Sequence, residues 1–194
     1  MGLKRSIASI FLSCLLVACS GSLHPLRNKT PEYFAMSLLS KCMITKSDAG
    51  KMREIFTIEN GMPFAEETTG SDIRKKYKAI KLSGEEVTNI WDIINPFNGV
   101  NYNIMITDNR RCMVSYENGN AEEMKKEFSK YADEISNLSN DIKNVKVENT
   151  NTHDSEEIRY KIPLNDMAAY TQLNLFIVNK ENSSIKIMWT PAVY

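Results

Sequence analysis

The chain has 194 residues, 42% of them apolar, 9% aromatic and 25% charged, with 24 basic side chains balanced by 24 acidic ones. That composition belongs to a globular protein and excludes a disordered, collagen-like or multi-span membrane chain. Balanced charge, with an isoelectric point near 6.7, gives no field to gather nucleic acid, which needs clustered excess Lys and Arg.

Lys4 and Arg5 form a short positive head before an apolar stretch from Ile7 to Ala18, broken only by Ser9, Ser13 and Cys14. This is the layout of an export signal. Twelve helical residues would rise only about 18 Å, short of the roughly 30 Å that a spanning helix must cross. The stretch closes on Leu16-Val17-Ala18-Cys19, which resembles the lipobox of bacterial lipoproteins. The resemblance implies a diacylglycerol thioether on Cys19, cleavage before it and acylation of its new amino group. Only a thiol takes that lipid, and two or three buried acyl chains make a stable anchor. Ser20, by the same resemblance, implies sorting to the outer membrane, with the domain facing the periplasm. Residues 1–18 are thus read as signal peptide, 19–29 as lipidated terminus and polar tether, and 30–194 as one globular domain. Lys4 and Arg5 leave with the signal, so the mature chain holds two more acidic than basic side chains.

Once Cys14 leaves and Cys19 carries lipid, Cys42 and Cys112 remain. An even remainder in an exported chain suggests a disulfide. The competing readings are two buried free thiols, or one reactive thiol with a catalytic role.

Thr30-Pro31-Glu32 predicts a helix start, with Thr30 as cap and Pro31 at the first helical position. Ala35, Leu38 and Cys42 recur at helical spacing behind it. A second helix is expected from Ser47 or Asp48, burying Ala49, Met52, Ile55 and Phe56 and stopping by Gly61. Residues 62–83 carry an acidic patch and then a basic one, without clear periodicity. The segment from 87 is ambiguous, because Ser83-Gly84-Glu85-Glu86 mimics a capping box while Val87, Ile90, Trp91 and Ile94 also fit a helix face. Tyr102, Ile104 and Ile106 alternate with Asn103, Met105 and Thr107, and Cys112, Val114 and Tyr116 continue the period after a turn at 108–111, predicting an antiparallel hairpin. Asn120 caps a third helix with Met124, Phe128, Tyr131 and Ile135 on its buried stripe. Alternation returns in Val145 and Val147, then in Ile158 to Ile162, Leu173 to Ile177 and Ile185 to Trp189. Glu148 to Asp154 reads as a long polar turn and Pro163 to Gln172 as a wider loop. The expected fold is α+β, with helices packed on one face of an antiparallel, meander-type sheet. Both halves run helix-then-strands, an order read as coincidence because no residues match. A helix ending in Cys42, Gly-Met-Pro at 61–63 and a Trp91 to Cys112 meander before a helix together resemble small exported bacterial proteins of unknown function. That likeness carries over no functional residue and reinforces only the disulfide.

The two histidines, His24 in the tether and His153 in a polar turn beside Asp154, are poorly placed for proton transfer. Nucleophile-elbow, zinc-protease and phosphate-loop patterns do not occur, and no cofactor or metal is expected. Pairs such as Glu66 with Glu67, Glu67 with Asp72, or Asp154 with Glu156 leave a carboxylate-dependent envelope hydrolase as an alternative. Binding features are Trp91 with Phe97, and the basic run containing Lys75, Lys76, Tyr77 and Lys78. Trp91 also fits a core position, and the lysines also fit a solvated surface. The functional expectation is a non-catalytic, membrane-anchored lipoprotein of the cell envelope that binds another envelope or secreted protein, as an immunity, inhibitor, exclusion or assembly factor does. A periplasmic carrier of an apolar ligand is a second alternative.

Overall fold

A computed structural model describes residues 29–56, 65–70, 72–73, 75, 81–82, 84–138, 145–163, 169–178 and 183–193. Helix α1 runs Pro31–Thr45, with the Thr30 hydroxyl accepting from the Tyr33 amide at 3.2 Å. Lys46, in the left-handed region at φ 53°, closes its far end. Helix α2 runs Ala49–Ile55, capped by the Asp48 carboxylate on the Lys51 amide. Helix α3 runs Ala121–Leu138, with Asn120 accepting from the Glu123 amide at 3.0 Å. Each cap is of the type its sequence announces.

The strands are β1 (Ala65–Thr69), β2 (Lys81–Leu82), β3 (Glu85–Ile94), β4 (Asn101–Thr107), β5 (Cys112–Tyr116), β6 (Lys146–Asn151), β7 (Ser155–Pro163), β8 (Tyr170–Val178) and β9 (Ser184–Val193). Eight of them form one antiparallel sheet in the order β1-β3-β4-β5-β9-β8-β7-β6, and β2 pairs with the start of β3. All three helices lie on one face, so the expected α+β architecture is the one observed.

The order of the two halves has an architectural meaning. The first half supplies α1 and α2 and the second half α3, each followed by a meander, and the last strands of the meanders, β5 and β9, pair antiparallel at the centre. The sheet therefore reads alike from either edge, with an approximate two-fold axis between β5 and β9. What the sequence suggests is coincidence is the plan of the fold, carried by topology without residue identity.

Two segments differ from their sequence reading. Glu85–Ile94 is a strand, because Gly84 at φ 86° turns the chain back into a β2–β3 hairpin where a capping box would have started a helix. Ile90 and Trp91 bury opposite faces of β3, which erases the alternation. Glu148 to Asn151 are not turn but strand, paired residue by residue with Arg159 to Glu156. As a sheet edge exposed throughout, β6 is polar apart from Val147, and its residues from Glu148 on mimic a loop.

Under the helices lies the main core, in which Trp91, Ile104, Val114, Ile187, Leu175 and Ile158 form a continuous cross-strand row. Cys42 of α1 bonds Cys112 of β5, with 6.2 Å between their Cα atoms. Both residues are fully buried. The bridge ties the central helix to the central strand pair, as the shared inward positions of the two cysteines predict.

Candidate functional site

Several predicted site residues have other occupations. Trp91 is 2% exposed and packs against Phe56 with ring centroids 6.0 Å apart, so it is withdrawn as a partner contact. Its indole fills the space under α2, where burial of a large ring contributes most. Phe97 stands in the β3–β4 turn at 42% exposure, so these two aromatics form no common surface. Lys75 is exposed and pairs with Asp72 at 3.0 Å, while Lys76, Tyr77, Lys78 and Cys19 lie outside the described residues.

Glu66, Glu67 and Asp72 line one open depression beside β1 together with Lys75, but the carboxylates have partners. Glu67 receives a two-pronged ion pair from Arg53 of α2, at 2.6 and 2.9 Å, and a hydrogen bond from Asn89 at 2.8 Å. That contact staples α2 to the β1 edge, and the Glu67 carboxylate holds the Arg53 guanidinium above its ordinary pKa. Asp72 is engaged by Lys75, and Glu156 by Lys125 at 2.7 Å. His153 Nδ1 lies 2.7 Å from Asp154 Oδ1, with the two side chains 98% and 79% exposed, a solvated pair on a turn. Among the described residues no group of three or more His, Cys, Asp or Glu side chains could hold a metal ion.

What the fold does build is a patterned surface on the sheet face opposite the helices. One register line runs across it through Thr68, Ile90, Met105, Met113, Met188, Asn174, Arg159 and Glu148. The half nearer β3 is a second, buried core of Ile73, Val87, Ile90, Met113 and Met188, and of its apolar residues only Met105 and Phe176 are partly exposed. The half nearer β6 is a charged network. Arg159 bridges Glu157 at 2.7 Å and Glu148 at 3.2 Å, and Lys161 meets Glu148 at 2.7 Å. Asn174, 1% exposed, donates to Glu157 and accepts from Gln172. The Lys161 hydrogen bond holds Glu148 below the usual carboxylate range, and the Glu157 hydrogen bond raises Arg159. Charges so fixed present a defined pattern rather than a mobile cloud.

Surface depressions among the described residues are of mixed polar and apolar character. The groove between α1 and α3, about 210 Å³, is lined by Tyr33, Met36, Ser37, Ser40, Glu127, Lys130, Tyr131 and Glu134. Burial pushes the Tyr131 hydroxyl up to about 12.

Two features escape the sequence reading. Met105 stands at an outward strand position there, and with Met113 and Met188 apolar residues at outward positions are the legible sign of the second face. Glu32 had no such sign. It looks like an ordinary acidic residue in a first helical turn, yet it is 3% exposed and accepts from the Asn120 amide at 2.8 Å and the Tyr116 hydroxyl at 3.3 Å. The start of α1 thereby holds the start of α3.

No protein-family model, curated protein or solved structure matches the chain.

Proposed function

We propose that this chain is a lipid-anchored protein of the bacterial envelope, held at the outer membrane by Cys19, that works without catalysis as a protein-binding module. The observation that carries the reading is the Cys42–Cys112 bridge. It pairs the two cysteines left once the export segment and the lipid-bearing Cys19 are set aside, and such bridges persist in oxidising compartments such as the periplasm. The lipobox-like Leu16-Val17-Ala18-Cys19 supplies the matching address.

The binding role is supported by the sheet face opposite the helices. Met105 and Phe176, partly exposed and bordered by the fixed charges of Glu148, Arg159 and Lys161, give that face a small apolar contact with a charged rim, as protein interfaces have, and a methionine side chain adapts to a partner's shape. The partner is another envelope or secreted protein with an apolar patch bordered by charge.

The test is crosslinking of the full chain in its own envelope, identification of the joined protein by mass spectrometry, and reconstitution of the complex from the two purified proteins. Phe176→Ser and Lys186→Glu, which share one register line on that face, are expected to abolish the complex, whereas Lys126→Glu on α3 leaves it intact. A complex indifferent to the first two variants, or no reconstituted complex, would refute the reading.

A further inference from the structure

We infer that the β3–β4 turn is a membrane-contacting tip, seating Phe97 and Ile94 in the interfacial layer of a zwitterionic lipid bilayer beside the start of α1. The inference rests on the lipid-anchored reading and adds to it a second contact and an orientation.

The tip is apolar in a chain that is otherwise a quarter charged. No Asp, Glu, Lys or Arg occurs from Ile93 to Thr107. Ile94 is 48% and Phe97 42% exposed, with exposed Pro96 between them. Apolar and aromatic side chains of this kind gain free energy by entering the headgroup and acyl boundary.

Backbone that leaves water must satisfy its own polar groups, and this turn does much of that internally. Asn95 donates its amide to the Val100 carbonyl at 3.0 Å and accepts from the Gly99 amide at 2.9 Å. The Asn95 side chain accepts from the Phe97 amide at 2.9 Å, and that of Asn98 from the Val100 amide at 3.0 Å. Gly99 at φ 71° makes the closure possible. The side-chain oxygens of Asn95 and Asn98 are spent on the turn itself, while the Asn95 side-chain nitrogen is buried without a partner among the described residues.

Its position matches the anchor. The Tyr102 hydroxyl donates to the Pro31 carbonyl at 3.1 Å. The turn therefore sits at the end of the sheet where α1 begins. Cys19 precedes Thr30 by eleven residues, and eleven residues span at most about 40 Å. A lipid on Cys19 keeps this end of the domain within reach of the bilayer. Exposed charges at the same end of the fold are of both signs, Lys29 against Glu117 and Glu122, without the cluster of basic side chains that anionic headgroups would attract, so the surface inferred is zwitterionic.

The experiment uses the full lipidated chain, its mass measured, reconstituted in phosphatidylcholine vesicles with or without lipids brominated along the acyl chains. Phe97→Trp is expected to add a blue-shifted emission that brominated lipid quenches, over the background of Trp91 and Trp189. Asn109→Trp, in the β4–β5 turn at the opposite end of the sheet, is expected to stay unquenched. If Phe97→Trp fails to fold, Ile94→Trp gives the same readout at the neighbouring position. An unquenched tip on a chain whose mass shows acylated Cys19 overturns the tip and leaves the anchor standing, and equal quenching at both ends overturns the orientation. A mass without acyl chains refutes the anchored reading, and the tip falls with it.

Discussion

Replacing Cys42 and Cys112 together by alanine removes the bridge without leaving a buried thiol or hydroxyl. The cysteines are 70 residues apart, and the loop between them contains α2 and β1 to β4. Releasing a loop of that length restores denatured-state entropy equivalent to about 4 kcal/mol, a drop in melting temperature of roughly 8–16 °C for a domain of this size. Both positions are fully buried, so the lost sulfur contacts add to that figure rather than offset it. The helix and strand contacts around the bridge remain, so the double variant is expected to fold and to keep its far-ultraviolet circular dichroism at low temperature. Thermal melts of the parent and the double variant, without reductant, measure the difference. A drop smaller than about 3 °C would mean the bridge does not constrain the unfolded chain as its loop length requires, and would refute the reasoning.

Other outcomes are equally specific. Glu32→Ala leaves the Asn120 amide and the Tyr116 hydroxyl without their acceptor, and should lower urea-unfolding stability by about 2–4 kcal/mol, whereas Glu32→Gln keeps one oxygen acceptor and should lose less; equal losses would reject the hydrogen-bond account. Gly119→Ala would drive a methyl group into Ile185 Cδ1 and to 2.8 Å from Tyr116 Cε2, both in the core, and is expected to lose about 1–3 kcal/mol in the same assay. Burial raises the hydroxyls of Tyr102 and Tyr116 well above the ordinary tyrosine value and Tyr131 to about 12. These protons are held more tightly in the folded state, so their contribution is complete below about pH 10 and is lost as pH rises through the folded values, at up to about 1.4 kcal/mol per pH unit for each tyrosine. Lys41, lowered by burial, acts the opposite way but is one group against three. Urea midpoints should fall steeply above about pH 10, and a flat profile would contradict the burial argument.

How legible this fold is depends on whether a signal is local. The caps at Thr30, Asp48 and Asn120 and the stripe from Met124 to Ile135 are local, and the helices start where they predict. The β4–β5 hairpin is equally clear, since Tyr102, Ile104 and Ile106 bury one face. Signals fail where a strand is buried on both sides or on neither. Ile90 and Trp91 hide β3, and the solvated β6 passes for a turn. The pairing of β5 with β9 is non-local, so the two-fold plan of the sheet leaves no trace in residue spacing. Of the candidate surface, Phe97 was visible as an aromatic between a proline and an asparagine. The charge pattern on the face opposite the helices required the register that brings Glu148, Arg159 and Asn174 side by side.

The central claim, a binding domain anchored by lipid on Cys19, is tested most directly by the intact mass of the protein recovered from bacterial envelopes. The account predicts a chain beginning at Cys19 with acyl chains attached, and loss of both acylation and membrane recovery in Cys19→Ala. A chain recovered from envelopes with no acyl mass, or a Cys19→Ala variant that stays equally membrane-bound, would contradict it.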